Sequence, residues 1–338
     1  MAVLGLGRMG RLYARLLAHV AQNGHAARLV GVADPDPLAL AAVQAELRAP
    51  LGTPDPYALL ARPEVEAVVV ATPTRTHAEL VIAAAGLGKS ILCEKPLALS
   101  PAETRAALDA VERASVPLQV GFMRRFDPPY VRAKALLDSG RIGRPLTFKA
   151  VGRDPFCPPA AYADPASSGG LLMDMAIHDF DLARWLMTSE VERVSAEGAL
   201  LVCDELRQVG DVDSALVTLR FASGALGSVE VSRTAAYAYD IRTEVLGSEG
   251  VVLVGAEALG GQMVVTRGRA PVDRASFLLE RFGDAYRAQL EQFLLCIRQG
   301  QPPAVTGRDA LAAATIAWAA TRALHTGRAV DLQELAHA

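Results

Sequence analysis

The chain has 338 residues, of which 51% are hydrophobic and 21% charged, and its formal net charge at pH 7 is −3. This length and composition predict sizeable buried cores and two domains. The small net charge and the lack of a basic run argue against a nucleic-acid or anionic-membrane partner. No apolar run is long enough to span a membrane, and the first residues lack a signal-peptide pattern. We therefore expect a cytoplasmic protein whose partners are small molecules and copies of itself.

The chain opens with a short apolar strand that runs into a glycine-rich turn and then a helix. Gly5, Gly7 and Gly10 form a G-x-G-x-x-G arrangement, in which glycines allow a tight turn and the close approach of a pyrophosphate to a helix N-terminus. Arg8 and Met9 lie in the same turn and join the glycines as candidate cofactor contacts. The strand before Gly5 is short for a central parallel strand, which predicts either a shortened strand or a start upstream of the first residue.

A second strand, predicted at residues 29–33, ends at Asp34. This is about the distance from the glycines at which an acidic residue binds the adenosine ribose of a dinucleotide. The residues that follow, Pro35-Asp36-Pro37, offer no Arg, Lys or Ser to a 2′-phosphate, which favours NAD over NADP. The alternative is that Asp34 only caps a loop.

Two further strands bring polar residues to the same carboxyl edge. An apolar run at residues 67–71 is followed by Thr72, Pro73 and His77, and another at 90–93 by Glu94 and Lys95. Open parallel sheets bind ligands at this edge, so all five are candidate cofactor contacts. A lone histidine at a helix start is more often a cap or a surface group. Only four of the 34 basic residues are lysines, and lysine, unlike arginine, can lose its proton when buried.

The alternation of strands and helices over residues 1–120 predicts a doubly wound Rossmann domain that binds a dinucleotide. From about residue 145 the pattern changes to strand-like runs separated by glycine-containing turns. These runs lie at residues 146–151, 215–221, 226–232, 241–246, 251–254 and 263–266. They predict an α+β domain over residues 121–338 with a large, mostly antiparallel open sheet. Helices near 286–297 and 309–325 close the chain, and the C-terminal helix can pack back toward the first domain.

The four cysteines, Cys93, Cys157, Cys203 and Cys296, are widely spaced and form no C-x-x-C pattern. This spacing is typical of reduced thiols and argues against a zinc site or a disulfide framework. We predict neither a metal site nor a disulfide.

The stretch at residues 167–184 carries the candidate reaction chemistry. If it is helical from about residue 171, then Asp174, His178, Asp181 and Trp185 share one face. The opposite face is apolar: Leu172, Met173, Ala176, Ile177, Phe180 and Ala183. A carboxylate one turn before an imidazole fixes its tautomer and raises its basicity, as a general base acting on an alcohol requires. The alternative is a solvated helix face with an ordinary i,i+4 pair.

In combination, these features resemble the glucose-fructose oxidoreductase, inositol dehydrogenase and rhizopine catabolism family, called Gfo/Idh/MocA. The resemblance covers nearly the whole chain and rests on the glycine turn, the tripeptide Glu94-Lys95-Pro96 and the spacing of Asp174 and His178. Five stretches are similar to the bacterial inositol 2-dehydrogenases of that family: Gly121-Phe-Met-Arg-Arg-Phe-Asp127, Arg153-Asp-Pro155, Met173-Asp-Met-Ala-Ile-His-Asp-Phe-Asp181, Gly210-Asp-Val-Asp213 and Tyr237-Ala-Tyr-Asp240.

The resemblance implies a catalytic set of three residues, which also contact the substrate: Lys95, Asp174 and His178. It implies three more contacts to polyol hydroxyls: Arg125, Asp154 and Tyr237. A ring with many hydroxyls requires such directional donors and acceptors. Each of these three residues has a structural alternative. Arg125 can form a surface pair with Arg124, Asp154 can form a turn before Pro155, and Tyr237 can lie at the edge of a core.

The implied reaction is NAD-dependent oxidation of a ring hydroxyl of myo-inositol to the 2-keto compound. His178 takes the hydroxyl proton, Asp174 orients His178, and Lys95 stabilises the negative charge that develops on oxygen. Coupled groups titrate as a set, so the formal base is either His178 or Lys95. The alternatives are an NAD(P)-dependent dehydrogenase of scyllo-inositol, another cyclic polyol or an aldose, and a non-catalytic dinucleotide-binding regulator that senses sugars. The resemblance also implies a homo-oligomer, a tetramer or a dimer.

Overall fold

The computed structural model describes residues 1–22, 27–47, 51–255 and 277–336. The chain divides into two compact units. The first consists of Met1–Phe122 and Tyr286–Leu311, and the second of Met123–Ala285 and Ala312–Ala338. The strand predicted at residues 263–266 lies outside the described residues. No helix in the described part of the chain is long and apolar enough to cross a membrane.

The first unit contains a six-stranded parallel sheet with the order β3-β2-β1-β4-β5-β6. Its strands are β1 (Ala2–Leu4), β2 (Gly31–Ala33), β3 (Leu51–Thr53), β4 (Ala67–Val70), β5 (Ser90–Cys93) and β6 (Leu118–Val120). Its helices are α1 (Arg8–Gln22), α2 (Pro37–Leu47), α3 (Pro56–Leu60), α4 (His77–Gly86) and α5 (Pro101–Ala114). The central strands are fully buried because helices cover parallel sheets on both faces. The predicted Rossmann sheet is confirmed, and β3 is an edge strand that the sequence did not reveal.

The second unit contains a seven-stranded mixed sheet with the order β12-β11-β7-β10-β9-β8-β13. Its strands are β7 (Pro145–Arg153), β8 (Val191–Ala199), β9 (Ser214–Phe221), β10 (Leu226–Ser232), β11 (Asp240–Gly247), β12 (Val251–Val254) and β13 (Val330–Asp331). All neighbours pair antiparallel except β7 and β10, which are parallel. The predicted, mostly antiparallel sheet is confirmed. It also contains β8 and β13, which the sequence did not predict.

Helices complete the chain around these sheets. They are α6 (Pro128–Asp138), α7 (Ala160–Ala163), α8 (Pro165–Ser168), α9 (Ile177–Met187), α10 (Leu278–Gln299), α11 (Gly307–Thr326) and α12 (Gln333–Ala336). Helix α9 packs against β7 and β10. Residues on β9 alternate between buried and exposed positions, so one face of this sheet is covered and the other is open.

The helix predicted from residue 171 is not a regular α-helix. Leu172–Ala176 forms a π-helical turn, and α9 begins at Ile177. The apolar face is buried as predicted, but the polar face is not solvated. The side chain of Asp174 is 16% exposed, and His178 and Asp181 are 8% and 1% exposed. The alternative of an ordinary solvated i,i+4 pair is therefore wrong.

The prediction that all four cysteines are reduced is also wrong. Cys157 and Cys203 form a disulfide, with their Cα atoms 5.6 Å apart. The two residues are 46 positions apart in the sequence, and pairing across such a distance cannot be read from spacing. The fold brings them together by placing the segment after β7 beside the 3₁₀ segment Asp204–Val209. Cys93 and Cys296 are free and buried.

Removal of the disulfide by the double substitution Cys157→Ala/Cys203→Ala is expected to lower the free energy of unfolding by about 2–4 kcal/mol, because the cross-link no longer restricts the unfolded chain. Urea unfolding of oxidised and reduced protein measures this loss. A dithiol reductant should lower the wild-type midpoint and leave the midpoint of the double variant unchanged. An equal response of the two proteins to the reductant would contradict the prediction.

Candidate active site

Each glycine of the opening turn has a distinct physical role. Gly5 has φ of +87°, and a Cβ atom there would lie 2.6 Å from the carbonyl oxygen of Ala71. A Cβ on Gly10 would lie 1.7 Å from the carbonyl oxygen of Gly5. A Cβ on Gly7 would meet no heavy atom of the described residues within 4 Å. The turn therefore excludes side chains at two positions and leaves the third open to an approaching group.

The open position at Gly7 precedes the N-terminus of α1, where Arg8 is exposed and Met9 is half-buried. The first N–H groups of a helix have no intrahelical acceptor and favour negative charge. An open glycine in front of such a helix fits the pyrophosphate of NAD. The residues in this turn thus fit the cofactor that the sequence predicts.

Asp34 follows β2 and lies beside the glycine turn. Its Oδ2 accepts a hydrogen bond from the Leu6 N–H group at 2.6 Å, and its Oδ1 accepts one from the Asp36 N–H group at 2.9 Å. The carboxylate therefore caps its own loop and is also fixed against the turn. Its predicted contact with the ribose is compatible with this position and stays a prediction.

We expect the wild-type enzyme to have a higher kcat/KM with NAD than with NADP, because the Asp34 carboxylate repels a 2′-phosphate. Asp34→Asn retains an oxygen acceptor for the Leu6 N–H group and removes the charge. The ratio of the two kcat/KM values should therefore fall by about tenfold. Asp36→Asn removes a charge from the same loop and serves as the control. A wild-type enzyme that uses NADP as efficiently as NAD would contradict the assignment.

His77 is not a surface residue, which was one of the two alternatives for a lone histidine at a helix start. Its ring is 2% exposed and joins two loops at the carboxyl edge of the sheet. Nδ1 lies 2.8 Å from the carbonyl oxygen of Pro96, and Nε2 lies 2.8 Å from that of Thr72. Burial lowers the pKa of His77, against the effect of these two hydrogen bonds. The Thr72-Pro73 turn and the segment that contains Lys95 are thus held together by one imidazole.

Glu94, directly before Lys95, is anchored by a buried hydrogen-bond chain. Its Oε1 accepts a hydrogen bond from the hydroxyl of Tyr13 at 2.6 Å, and that hydroxyl accepts one from Nε2 of Gln289 at 2.7 Å. Oε2 of Glu94 accepts a longer bond from the Lys95 N–H group at 3.3 Å. Burial raises the pKa of Glu94. The backbone of Lys95 is therefore fixed on both sides, and its side chain is half-buried.

The carboxylate of Asp174 is held by Arg233, which the sequence did not single out. Arg233 follows β10 and is 1% exposed. Its Nη2 donates to Oδ2 of Asp174 at 3.1 Å, and its Nη1 donates to Oδ2 of Asp211 at 3.2 Å. His178 follows on α9, four residues after Asp174. The dyad thus combines a nearly buried imidazole with an ion-paired carboxylate.

Asp154 and Tyr237 lie where the parallel strands β7 and β10 end side by side at Arg153 and Ser232. The Asp154 N–H group donates to the carbonyl oxygen of Ser232 at 2.8 Å. The hydroxyl of Tyr237 donates to Oδ2 of Asp240 at 2.6 Å and accepts from Nη1 of Arg153 at 2.9 Å. Burial, with the hydrogen bond to Asp240, raises the pKa of Tyr237. Both predicted contact residues are half-buried at one edge of the sheet.

The adjacent arginines Arg124 and Arg125 do not form a surface pair. Arg125 binds the carboxylate of Asp181 through Nε at 2.8 Å and Nη2 at 2.5 Å, and its guanidinium lies 5.7 Å from the ring centre of Trp185. Arg124 binds Asp179 through Nη1 at 2.5 Å. Both pairs fix α9 from the segment that follows β6. The predicted contact of Arg125 with a polyol stays a prediction.

Sequence reasoning missed Arg233 and Asp211. Asp211 lies in the stretch 210–213 that carried part of the resemblance, but a charged residue in a loop is usually on the surface. A signal existed for Arg233: Val229 and Val231 are buried on β10, and the two-residue period of a strand continues to Arg233.

Residues 1–122 match the NAD-binding Rossmann-fold domain of an oxidoreductase family, and residues 130–253 match the GFO/IDH/MocA C-terminal domain. The chain belongs to the Gfo/Idh/MocA oxidoreductase family. Membership confirms the resemblance seen in the sequence and the expectation of an NAD-binding domain.

Two relatives and one solved structure of this family illustrate the similarity. The chain is 41% identical to a scyllo-inositol 2-dehydrogenase (NAD(+)) of Bacillus subtilis, over 98% of this chain and 95% of that protein. It is 40% identical to a myo-inositol 2-dehydrogenase of Thermotoga maritima, over 98% of each. A crystal structure of scyllo-inositol dehydrogenase from Lactobacillus casei with bound NAD(H) and scyllo-inositol superposes with a TM-score of 0.87 at 26% identity, over 98% of each chain.

Proposed function

We propose that this family member is an NAD-dependent inositol 2-dehydrogenase that oxidises myo-inositol to 2-keto-myo-inositol. The observation that carries the proposal is the dyad itself: His178 is nearly buried, and Asp174 four residues earlier is ion-paired with Arg233. A general base for alcohol oxidation needs an imidazole held in one orientation, and burial beside an ion-paired carboxylate supports that role for His178. The full-length similarity to two inositol 2-dehydrogenases supports the substrate class.

In the proposed mechanism, NAD supplies the acceptor for the hydride that leaves the ring carbon. His178 takes the proton of the hydroxyl, and Asp174 keeps the imidazole in the required orientation. Lys95 stabilises the negative charge that develops on the oxygen and shares in the proton transfer, so that His178 and Lys95 titrate as a coupled set.

Cofactor and substrate are held by residues from several loops. The proposed NAD contacts are Gly5, Gly7, Arg8, Met9, Gly10, Asp34, Thr72, Pro73, His77, Glu94 and Lys95. The proposed polyol contacts are Arg125, Asp154 and Tyr237, together with the three catalytic residues. Several hydrogen-bonding groups suit a ring that carries a hydroxyl on every carbon, because each unmatched hydroxyl weakens binding.

The test is formation of NADH by the purified protein with NAD and each of myo-inositol, scyllo-inositol and an aldose. The proposal expects NADH with myo-inositol, and a keto product identified by mass. A higher kcat/KM with scyllo-inositol would assign that isomer, as the B. subtilis relative suggests. Tight NADH binding without turnover of any polyol would favour the alternative of a sugar-sensing regulator.

Tyr237→Phe and Asp154→Ala are expected to lower kcat/KM for inositol by about one to two orders of magnitude, because each removes a group that matches a substrate hydroxyl. NADH affinity should stay close to wild type, since neither residue belongs to the cofactor set. Steady-state kinetics and NADH fluorescence titration measure the two effects. Asp204→Asn, at a side chain that is 90% exposed, is the control. Loss of NADH binding in either variant would contradict the assignment.

We also propose self-association, as a tetramer or a dimer, through the open face of the second unit's sheet. Large apolar side chains are exposed on its strands: Leu216, Leu226, Leu246, Val251 and Leu253. An apolar surface of this kind is characteristic of an interface.

We also propose a cytoplasmic location, where NAD is supplied, and a role in myo-inositol catabolism. The disulfide between Cys157 and Cys203, by contrast, is a feature typical of proteins in oxidising compartments.

A further inference from the structure

We propose that Arg233 and Asp211 are positioning residues that fix the orientation and the charge of Asp174, and through it the basicity of His178. This inference rests on the proposed function of the Asp174–His178 dyad. Neither residue belongs to the catalytic, cofactor-binding or substrate-binding sets assigned above.

The first observation is geometric. One buried guanidinium joins two carboxylates that come from different segments: Asp174 in the π-helical turn and Asp211 in the loop before β9. Oδ1 of Asp211 also accepts a hydrogen bond from the Leu171 N–H group at 3.2 Å. The same aspartate thus holds the backbone at the start of the π-helical turn and, through Arg233, the side chain within it. A π-helical turn in a longer helix is frequently a feature of functional sites.

The second observation is that the surroundings fix this pair in place. The Arg233 N–H group donates to the carbonyl oxygen of Asp213 at 2.8 Å. Gly170 has φ of +75°, and a Cβ there would lie 3.0 Å from Oδ1 of Asp211. A side chain at this position would crowd the carboxylate, so glycine permits its approach to Leu171. Backbone and packing therefore define where both charges sit.

The third observation concerns charge. Arg233 and Asp211 face Asp174 from the segments after β10 and before β9, and His178 follows it on α9. One positive charge is shared by two carboxylates, so the cluster retains a net negative charge when all three groups are ionised. Burial raises the pKa of Asp211, and Arg233 opposes that rise. Because water and salt screen buried charges less than surface charges, the net charge of this cluster is expected to influence the pKa of the His178 imidazole, one helical turn after Asp174.

Loss of charge and loss of geometry in this cluster are expected to change different readouts, namely the pH dependence of kcat and the size of kcat. Asp211→Asn keeps the size of the side chain and an oxygen for Leu171, but removes one negative charge. The pKa of His178 and the ascending limb of the kcat profile should then move to lower pH by about half a unit or more. Arg233→Lys keeps the charge but cannot span two carboxylates. It should lower kcat by about tenfold or more and leave the limb near its wild-type pH.

The experiment combines the kcat profile with NMR titration of the histidines, six in number, in which His178→Gln identifies the His178 resonance. Asp204→Asn removes a charge from the same connection between β8 and β9, where the side chain is 90% exposed, and should move neither readout. If neither the ascending limb of the kcat profile nor the pKa of His178 moves in Asp211→Asn, the inference is overturned.

If Asp211→Asn fails to fold, as judged by circular dichroism, Arg233→Gln replaces it. That variant removes a positive charge, so a shift of the His178 pKa to lower pH would overturn the inference. If the wild type oxidises no polyol while the NMR shift is observed, the proposed function fails and the charge coupling stands.

Discussion

Lys95→Met and Lys95→Arg are both expected to lower turnover by about two orders of magnitude or more, while NADH still binds. The structure fixes the backbone of Lys95 through Glu94 on one side and through Pro96, which His77 contacts, on the other. In the proposed mechanism the Lys95 ammonium stabilises the negative charge that develops on oxygen, and a fixed backbone limits where that ammonium can lie. An arginine keeps the charge, but its guanidinium is wider and retains its proton at every working pH. Charge alone should therefore not restore turnover.

The measurement is turnover across pH at saturating NAD and inositol, with NADH binding followed by fluorescence. In the residual activity of the Lys95 variants, the ascending limb should shift or flatten, because a coupled acid–base group is missing. Lys89→Met is a matched control: Lys89 precedes β5 at its opposite end, and its Nζ donates to the carbonyl oxygen of Arg62 at 3.1 Å. A Lys95→Met enzyme with near wild-type turnover would leave His178 as the sole base.

Asp179→Ala is expected to destabilise the protein by about 3–5 kcal/mol, because it leaves a buried guanidinium without its carboxylate. The side chains of Arg124 and Asp179 are 4% and 0% exposed. Arg124 also lies 5.8 Å from the ring centre of Phe282, which offers no acceptor in place of the carboxylate. Burial raises the pKa of Asp179 even in the presence of Arg124.

The free energy of unfolding in urea measures this loss. Glu46→Ala is the control, because it breaks an ion pair with Arg15 in which both side chains are exposed. The urea midpoint of this variant should stay close to that of the wild type. The double variant Arg124→Met/Asp179→Leu removes both charges and should recover much of the stability, since a buried pair is often replaceable by apolar residues. A midpoint for Asp179→Ala as high as that of Glu46→Ala would contradict the prediction.

The parallel sheet could be predicted because its signals are local. The four residues of β4 are all apolar and all buried. Helix α5 begins at a capping box of Ser100 and Glu103, which is a pattern of neighbouring residues. The additional strands β3, β8 and β13 are short or contain many polar residues, so pairing with neighbours defines them more than composition does. The π-helical turn could not be predicted, because over one turn an α-helix and a π-helix have the same pattern of apolar residues on one face.

The buried charges escaped prediction because their partners are distant in sequence. Arg124 and Asp179 are separated by 55 positions, and Asp174 and Arg233 by 59. A single charged residue in a sequence is usually on the surface. The fold alone reveals that these charges are paired and buried. The disulfide escaped for the same reason, since two cysteines 46 positions apart carry no pairing information.

We propose that this protein moves a hydride from a ring carbon of inositol to NAD. To test this, the purified protein is incubated with NAD and with myo-inositol or scyllo-inositol deuterated at the carbon that is oxidised, and the cofactor is then analysed by mass. We expect NADH that carries one deuterium, and a keto product that has lost it. We also expect His178→Gln to lower the rate of this transfer by about two orders of magnitude or more. NADH without deuterium, or no NADH from either inositol isomer, would contradict the proposed hydride transfer.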